Sequence, residues 1–257
     1  MFDRGVSPMV LTYAGEKYME AADKILATMD DLQNLIDDIG ESRKGQLRIG
    51  CGPQHSPFII PQILPGMIRQ YPEVEFHIVE DVRVRLESEL LAGKLDVLIY
   101  GGVNDSAQLK YEELAVQEFV LLAPKGFEAA LLPDAGDSAL PRIDMRSLKG
   151  KQFVLMKPGH QLRLMQDHVF RGLNFQPNVI LETDNWQTSI RLVESGITFT
   201  ILPNADPGFS QQNFDKYAFE KVFNRHVYLC YRQNAYISKV MADFLATVRR
   251  LFRDDAH

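Results

Sequence analysis

Between Tyr18 and Ile39 the apolar residues fall at Tyr18, Ala22, Ile25, Met29, Leu32, Ile36 and Ile39, in alternating steps of four and three. That period of about 3.5 residues is the a/d seam of a coiled coil, narrower than the stripe of a helix lying on a globular core. The positions between carry Glu20, Asp23, Lys24, Asp30, Asp31, Asn34, Asp37 and Asp38, which reads as a solvated opposite face. Thr12 offers a capping hydroxyl at the start, and the Gly40 to Gly45 run ends the helix. At 1.5 Å per residue, a helix from Tyr13 to Ile39 is about 40 Å long. A rod with one apolar edge needs a partner, so this stretch is expected to be a dimerisation helix. The competing reading is an amphipathic helix resting on its own domain.

The 257 residues have room for one large or two modest domains beyond that helix. A hydrophobic fraction of 46% with 24% charged residues is that of a globular chain rather than a disordered one. No apolar run approaches the ~20 residues of a membrane span, and the first twenty residues lack the apolar core of a secretory signal. The expectation is a cytoplasmic protein without membrane contact. Cys51 and Cys230 have no C-x-x-C spacing and read as inert core residues in a reducing compartment, with a redox pair as the alternative.

Net charge is −6, and the segment before Gly45 holds five Lys and Arg against nine Asp and Glu. Such a balance carries no electrostatic footprint for nucleic acid. No G-x-S-x-G, P-loop, dinucleotide fingerprint or zinc spacing is present, so neither an enzyme nor a cofactor is expected. His55 and His160 have no metal-pair spacing.

In chain order, residues 1–12 resemble the second half of a small hairpin that runs into the helix. Gln46–Gly50 reads as a strand, Cys51–His55 as a loop, and Ser56-Pro57 as a side-chain cap followed by proline at the first helical position. Ile59, Ile60, Ile63, Leu64, Met67 and Ile68 give the next helix an apolar face. Glu75–Val79 and Leu95–Tyr100 are strands around a helix with Leu86, Leu90 and Leu91, closed by a left-handed Gly93. The β-α-β-α-β order implies a parallel sheet, with Gly101-Gly102 as a tight loop at its carboxyl end.

Glu118–Ala123 leaves this unit as a strand, and a polar stretch follows to Asp144. The second α/β unit has strands at Gln152–Met156, Val179–Glu182 and Ile197–Leu202. Its helices run from Leu162 to a stop at Gly172, and from a Thr183–Asn185 cap to Gly196. Tyr217–Arg232 reads as an antiparallel pair, and Ile237 to Phe252 as an amphipathic last helix. The organisation expected is a helical segment 1–45, a lobe 46–118 completed by 230–257, and a second lobe 119–229. The two are joined near Phe119 and Val227. In open α/β sheets ligands sit at the carboxyl ends of strands, and two facing lobes make a cleft that can hinge.

Four stretches together resemble the LysR-type transcriptional regulators. They are Phe2-Asp-Arg4 … Val10-Leu-Thr12-Tyr-Ala-Gly15-Glu16, Gly45-Gln-Leu-Arg-Ile-Gly50 … Ile60-Pro61, Tyr71-Pro72 … Leu90-Leu-Ala-Gly93-Lys-Leu-Asp96, and Leu192-Val193-Glu-Ser-Gly196-Ile-Thr-Phe-Thr-Ile-Leu-Pro203. The resemblance covers essentially the whole chain in the family's order. It implies two Rossmann-like α/β lobes of the type 2 periplasmic-binding-protein kind behind a linker helix. Two departures stand out: the family's winged helix-turn-helix is absent before Met1 except for its tail, and Thr198 stands where a second Gly is usual. The first suggests a truncated or mis-started product that touches DNA only through the missing head.

The resemblance also implies a small-molecule effector between the lobes. The matching positions are Pro53, Gln54, His55 and Ser56; Tyr100, Gly101, Gly102 and Val103; His160 and Gln161; Thr183, Asp184 and Trp186; and Thr200. Independently of it, backbone N–H groups at the Ser56 and Asp184 helix starts, with the polar side chains of Gln54, Ser56, Gln161 and Thr183, suit a small organic anion. Ser56 reads equally as a plain cap, and Trp186 as core. The partners implied are a second copy in a homodimer or tetramer and, for an activator, RNA polymerase. Two alternatives stay open: a transporter's solute-binding protein, and a headless sensor that pairs with a full-length regulator.

Overall fold

The computed structural model describes residues 2–3, 10–39, 44–133, 140–204 and 213–254. The chain divides into two compact units, Met1–Ala115 with His226–His257, and Val116–Arg225.

Unit 1 begins with two short strands, β1 (Phe2–Asp3) and β2 (Val10–Leu11), which pair antiparallel with Phe2 opposite Leu11. Both strands of this ribbon therefore lie in the chain, not only its second half. Helix α1 (Tyr13–Ile39) follows at once, and the Thr12 hydroxyl accepts from the Gly15 N–H at 3.2 Å, the expected cap. Tyr18, Ile25, Met29, Leu32 and Ile36 of the seam are all more than half exposed, Ala22 is half-buried, and the side chain of Ile39 lies outside the described residues.

The opposite face is not the solvated face expected. Asp23 pairs with Lys94 at 3.2 Å, Asp30 with Arg48 at 2.8 Å, and Asp31 with Arg232 at 3.1 Å. Ala27 is buried between them. The helix rests on its own unit by its acidic edge and leaves its apolar edge outward.

Strand β3 (Lys44–Cys51) lies parallel to both β4 (Glu73–Glu80) and β5 (Val97–Gly102). Between them run α2 (Ser56–Gln70) and α3 (Arg83–Leu91). Val97 to Gly101 is a buried apolar run, as a strand with neighbours on both edges requires. Its outer neighbour is β11 (Asn224–Arg232), antiparallel, with Val227 opposite Gly101 and His226 opposite Gly102. The two glycines thus extend the strand instead of making the tight loop expected of them.

One face of the sheet packs on α2 and α6 (Lys239–Asp254), through Ile59, Ile63, Met67, Met241, Phe244 and Val248. The other face packs on α3 through Leu86, Leu90, Leu98 and Tyr100. In α2, Pro57, Pro61 and Pro65 share one exposed edge, so carbonyls left without an N–H partner face water.

Unit 2 centres on β6 (Leu109–Pro124), a 16-residue strand that enters it from unit 1 and far exceeds the strand expected at 118–123. Here β6 pairs antiparallel with β9 (Thr200–Pro203) and β10 (Phe214–Tyr217). Strand β10 pairs with β6 and β11 with β5, so they are not the mutual pair expected. Strands β7 (Gln152–Met156) and β8 (Asn178–Thr183) are parallel, with α4 (Gln161–Gly172) between them and α5 (Trp186–Glu194) after β8.

Helix α4 ends at Gly172, as expected, with Gly172 as its last helical residue. A Cβ there would meet the Phe223 ring at 2.7 Å, and the left-handed residue is Asn174 at φ 50°. Gly196, at φ +82°, does close α5. Strand β9 opens only at Thr200, because Ile197 is exposed and Thr198 is buried ahead of it. Phe153 anchors the core, edge-on to Phe170 at 5.5 Å and beside Phe199 at 5.9 Å. Among the described residues no helix is long and apolar enough to cross a membrane.

Gly93 has φ +76°, and a Cβ there would stand 2.2 Å from Ala27 Cβ. Gly196 has the same backbone hand with open space around it. Gly196→Ala should therefore cost only left-handed strain, about 1–2 kcal/mol. Gly93→Ala should cost about 1–3 kcal/mol more, from overpacking against α1. Urea unfolding of the two variants at equal protein concentration checks the difference.

Candidate functional site

Each unit presents loops at the carboxyl ends of its parallel strands, and most residues predicted for a ligand lie there. In unit 1, β3 ends at Cys51 and the chain turns on Gly52, whose carbonyl accepts from the N–H groups of both His55 (2.8 Å) and Ser56 (3.1 Å). His55, not Ser56, is the N-cap of α2. It makes no side-chain cap bond and is fully buried. Ser56 is the first helical residue, and Pro57 follows it at the second position. Phe58 and Ile59 N–H groups both go to the His55 carbonyl at 3.1 and 3.0 Å, so this helix start has spent several of its donors internally. Pro53 is exposed and Gln54 half-buried, its amide folded over Gly52.

The positions at the end of β5 divide differently. Tyr100 is buried in the core under α3, and its hydroxyl lies 2.9 Å from Glu87 Oε1 and 2.7 Å from the Val103 carbonyl. The Arg83 guanidinium covers its ring at 5.6 Å and donates to Val103 and Asp105. Tyr100 is therefore a core residue with a satisfied hydroxyl. Gly101 and Gly102 are strand residues, and Val103 is exposed.

In unit 2, His160 caps α4: its Nδ1 accepts from the Leu162 N–H at 3.1 Å, which makes Nε2 the protonated nitrogen. Gln161 beside it is exposed. After β8 the Thr183 hydroxyl accepts from the Asn185 N–H at 3.1 Å. Asn185 Oδ1 in turn accepts from Gln187 at 2.9 Å. Asn185, not Asp184, is the cap of α5. Asp184 instead pairs with Lys157 at 2.5 Å across the two loops. Trp186 is buried, and Thr200 is fully buried with its hydroxyl donating to the Val154 carbonyl at 2.8 Å. Thr200 thus staples β9 to β7 and does not face a ligand loop. Tyr100 sits two residues inside the carboxyl end of β5, and Thr200 is the first residue of β9; both side chains meet the core.

Two residues of unit 2 escaped the sequence reading. Gln166 is fully buried, accepting from the Met156 N–H and donating to the Ile201 carbonyl, each at 2.9 Å. Arg225 is 5% exposed and donates Nη2 to Gln117 Oε1 at 2.6 Å. It lies in phase with Val227 and Leu229 on β11. A cation at an inward strand position was the signal that could have marked it.

The cysteines are placed apart. Cys51 faces the α2 and α6 core, Cys230 the α3 core, and β5 runs between their strands. Opposite faces and about 10 Å of lateral spacing exclude a disulfide without rebuilding the sheet. Burial pushes the Cys230 thiol far up, away from the reactive thiolate. Among the described residues no group of three His, Cys, Asp or Glu is placed to hold a metal.

Burial holds the His160 imidazole below its ordinary value, Asp184 opposes this, and the nearby Arg225 charge adds to it. The unfolded chain takes up that proton near pH 6.5 and the folded chain only at lower pH. Stability is therefore complete above about pH 6.5 and falls as pH drops through the window beneath it. His160→Asn keeps a capping acceptor without the titration. Its urea midpoint between pH 7 and 5 should fall less than that of the parent chain.

The LysR substrate binding domain family matches residues 40–253. The HTH-type transcriptional regulator YcgK of Bacillus subtilis strain 168, itself uncharacterised, is 25% identical over 97% of this chain and 80% of its own length. A hydrogen peroxide-inducible genes activator of Dickeya chrysanthemi is 28% identical, over 79% of this chain and 64% of its own. Among solved structures, the C-terminal domain of a probable LysR family transcriptional regulator from Rhodococcus sp. RHA1 superposes with a TM-score of 0.63 at 25% identity. The match covers 80% of this chain and 98% of that one. The α/β architecture is that of LysR effector-binding domains, which are periplasmic-binding-protein-like, and these relatives are regulators rather than enzymes. The chain belongs to the LysR-type transcriptional regulators, with the family's substrate-binding domain over residues 40–253.

Proposed function

We propose that the chain is the effector-sensing and oligomerising part of a LysR-type regulator, acting in the cytoplasm, and that its effector is a small organic anion. The loops proposed to take up the anion are Pro53–Ser56 in unit 1, and His160–Gln161 and Thr183–Trp186 in unit 2. The observation that carries the anion reading is Arg225: a guanidinium only 5% exposed at an inward strand position, donating to the Gln117 amide oxygen at 2.6 Å. A planar guanidinium is the side chain best matched to a carboxylate. Gln54 in unit 1 and Thr183 in unit 2 each offer a neutral polar group on their own unit's loop. Effector binding would alter the presentation of α1, and through it the DNA-binding heads that the relatives' HTH-type names denote, with coupling of order 1–3 kcal/mol.

The peroxide response in one relative's name is not carried over. Two buried cysteines on opposite faces of one sheet give no dithiol to oxidise. The seam of α1 is proposed to pair with a second copy, since five large apolar side chains stand exposed along one edge.

Two measurements follow. In a thermal-shift screen of small carboxylates, at least one should raise the midpoint, and Gln54→Ala, Thr183→Ala or Arg225→Gln should each weaken that shift about tenfold in ligand concentration. A shift untouched by all three removes these loops as the site. Separately, Ile25→Asp with Leu32→Asp should lower the oligomeric state seen by light scattering. An unchanged mass would remove the seam.

A further inference from the structure

Helix α1 turns about 100° per residue. On that wheel Asp23, Ala27, Asp30 and Asp31 fall on one side, about half a turn from Tyr18, Ile25, Met29, Leu32 and Ile36. Among the described residues the inner side meets unit 1 at the turn around Gly93 and at Arg48 of β3. Lys94 follows that glycine, and Ala27 is seated against it. Arg232 reaches the same turn, donating Nη1 to the Leu90 and Leu95 carbonyls and Nη2 to Asp31. Arg48 is held by a fork to Asp96 at 2.8 and 3.1 Å, and offers its remaining Nη1 to Asp30.

Apolar contact contributes little to this joint. Ala27 is the buried apolar side chain of α1 among the described residues. Alongside it lies an open cavity of about 480 Å³, lined by Ala27, Thr28, Asp31, Leu91, Gln108 and Arg232. Among the described residues, the three ion pairs outnumber this one close apolar contact in holding the helix down.

We infer that α1 is clipped to unit 1 by an electrostatic latch, Asp23–Lys94, Asp30–Arg48 and Asp31–Arg232, which opens without disturbing the apolar face half a turn away. The latch deepens the proposed function by naming what joins sensing to the helix. Arg48 sits on β3, the strand that delivers the Pro53–Ser56 loop, and Asp96 bonds both the Arg48 side chain and its backbone N–H (2.7 Å). A shift of that strand moves the central anchor of the helix.

The test is intrachain cross-linking of the full chain carrying Asp23→Cys and Lys94→Cys with a short bis-maleimide, read by mass spectrometry. Both native thiols are buried. At about 0.1 M salt the cross-link should form readily, and at about 1 M, where the screening length is about 3 Å, at least about fivefold more slowly. Adding Asp30→Asn and Asp31→Asn should slow it equally at low salt and abolish the salt response, while Asp30→Glu with Asp31→Glu should restore both. Rates within twofold across all these conditions would overturn the latch. Should the Asn chain fail to fold, the salt series with the acids intact decides alone. The cross-link needs neither effector nor DNA, so its failure leaves the effector reading standing. A failed carboxylate screen likewise leaves the latch.

Discussion

The close approach of Ala27 to Gly93 sets the orientation of everything α1 offers outward. Gly93 closes α3 with a left-handed backbone, launches the turn into β5, and leaves no side chain where the helix comes down. Only a glycine meets all three demands, and only a small residue on α1 fits opposite it. With that contact fixed, the helix has one rotational setting in which its carboxylates reach Lys94, Arg48 and Arg232. The same setting turns Ile25, Met29 and Leu32 to the outside.

The magnitudes say which face dominates. Partly exposed ion pairs of this kind contribute about 0.2–1 kcal/mol each, so three of them hold the helix only loosely. Five large apolar side chains, each a little over half exposed, would each contribute about 1 kcal/mol if a partner covered them. A second copy seated on the outer face, as proposed, would outweigh the latch, leaving the latch as the weaker joint, the one a ligand-sized free energy can shift. This asymmetry gives the helix a regulatory reading that its length and pattern alone do not.

Much of the fold was legible in the sequence because its signals were local. The span Tyr13–Ile39, its Thr12 cap, the parallel pairing of β3, β4 and β5, the strand Gln152–Met156 and the glycine ends at 93 and 196 follow from periodicity and capping chemistry. What failed was set by distant partners. Gly101 and Gly102 resemble a turn until β11 pairs with them, and β10 and β11 resemble a hairpin until each finds another strand. The acidic face of α1 read as solvated because its partners are 18 to 201 residues away in sequence. Of the positions proposed for a ligand, those on loops and helix caps were placed by the same local signals. Tyr100 lies in the core because it is two residues inside the end of β5, Thr200 because its hydroxyl is turned to the Val154 carbonyl of β7, and Arg225 was hidden inside a strand-like run.

The central claim is that α1 works through two opposite faces, one held by its own unit and one by another copy. Isotope-filtered methyl NMR on a mixture of labelled and unlabelled chains addresses it most directly. The account predicts cross-peaks between copies from the Ile25 and Leu32 methyls, and Ala27 methyl contacts confined to its own chain. Ile25 and Leu32 methyls that meet only their own chain would contradict it.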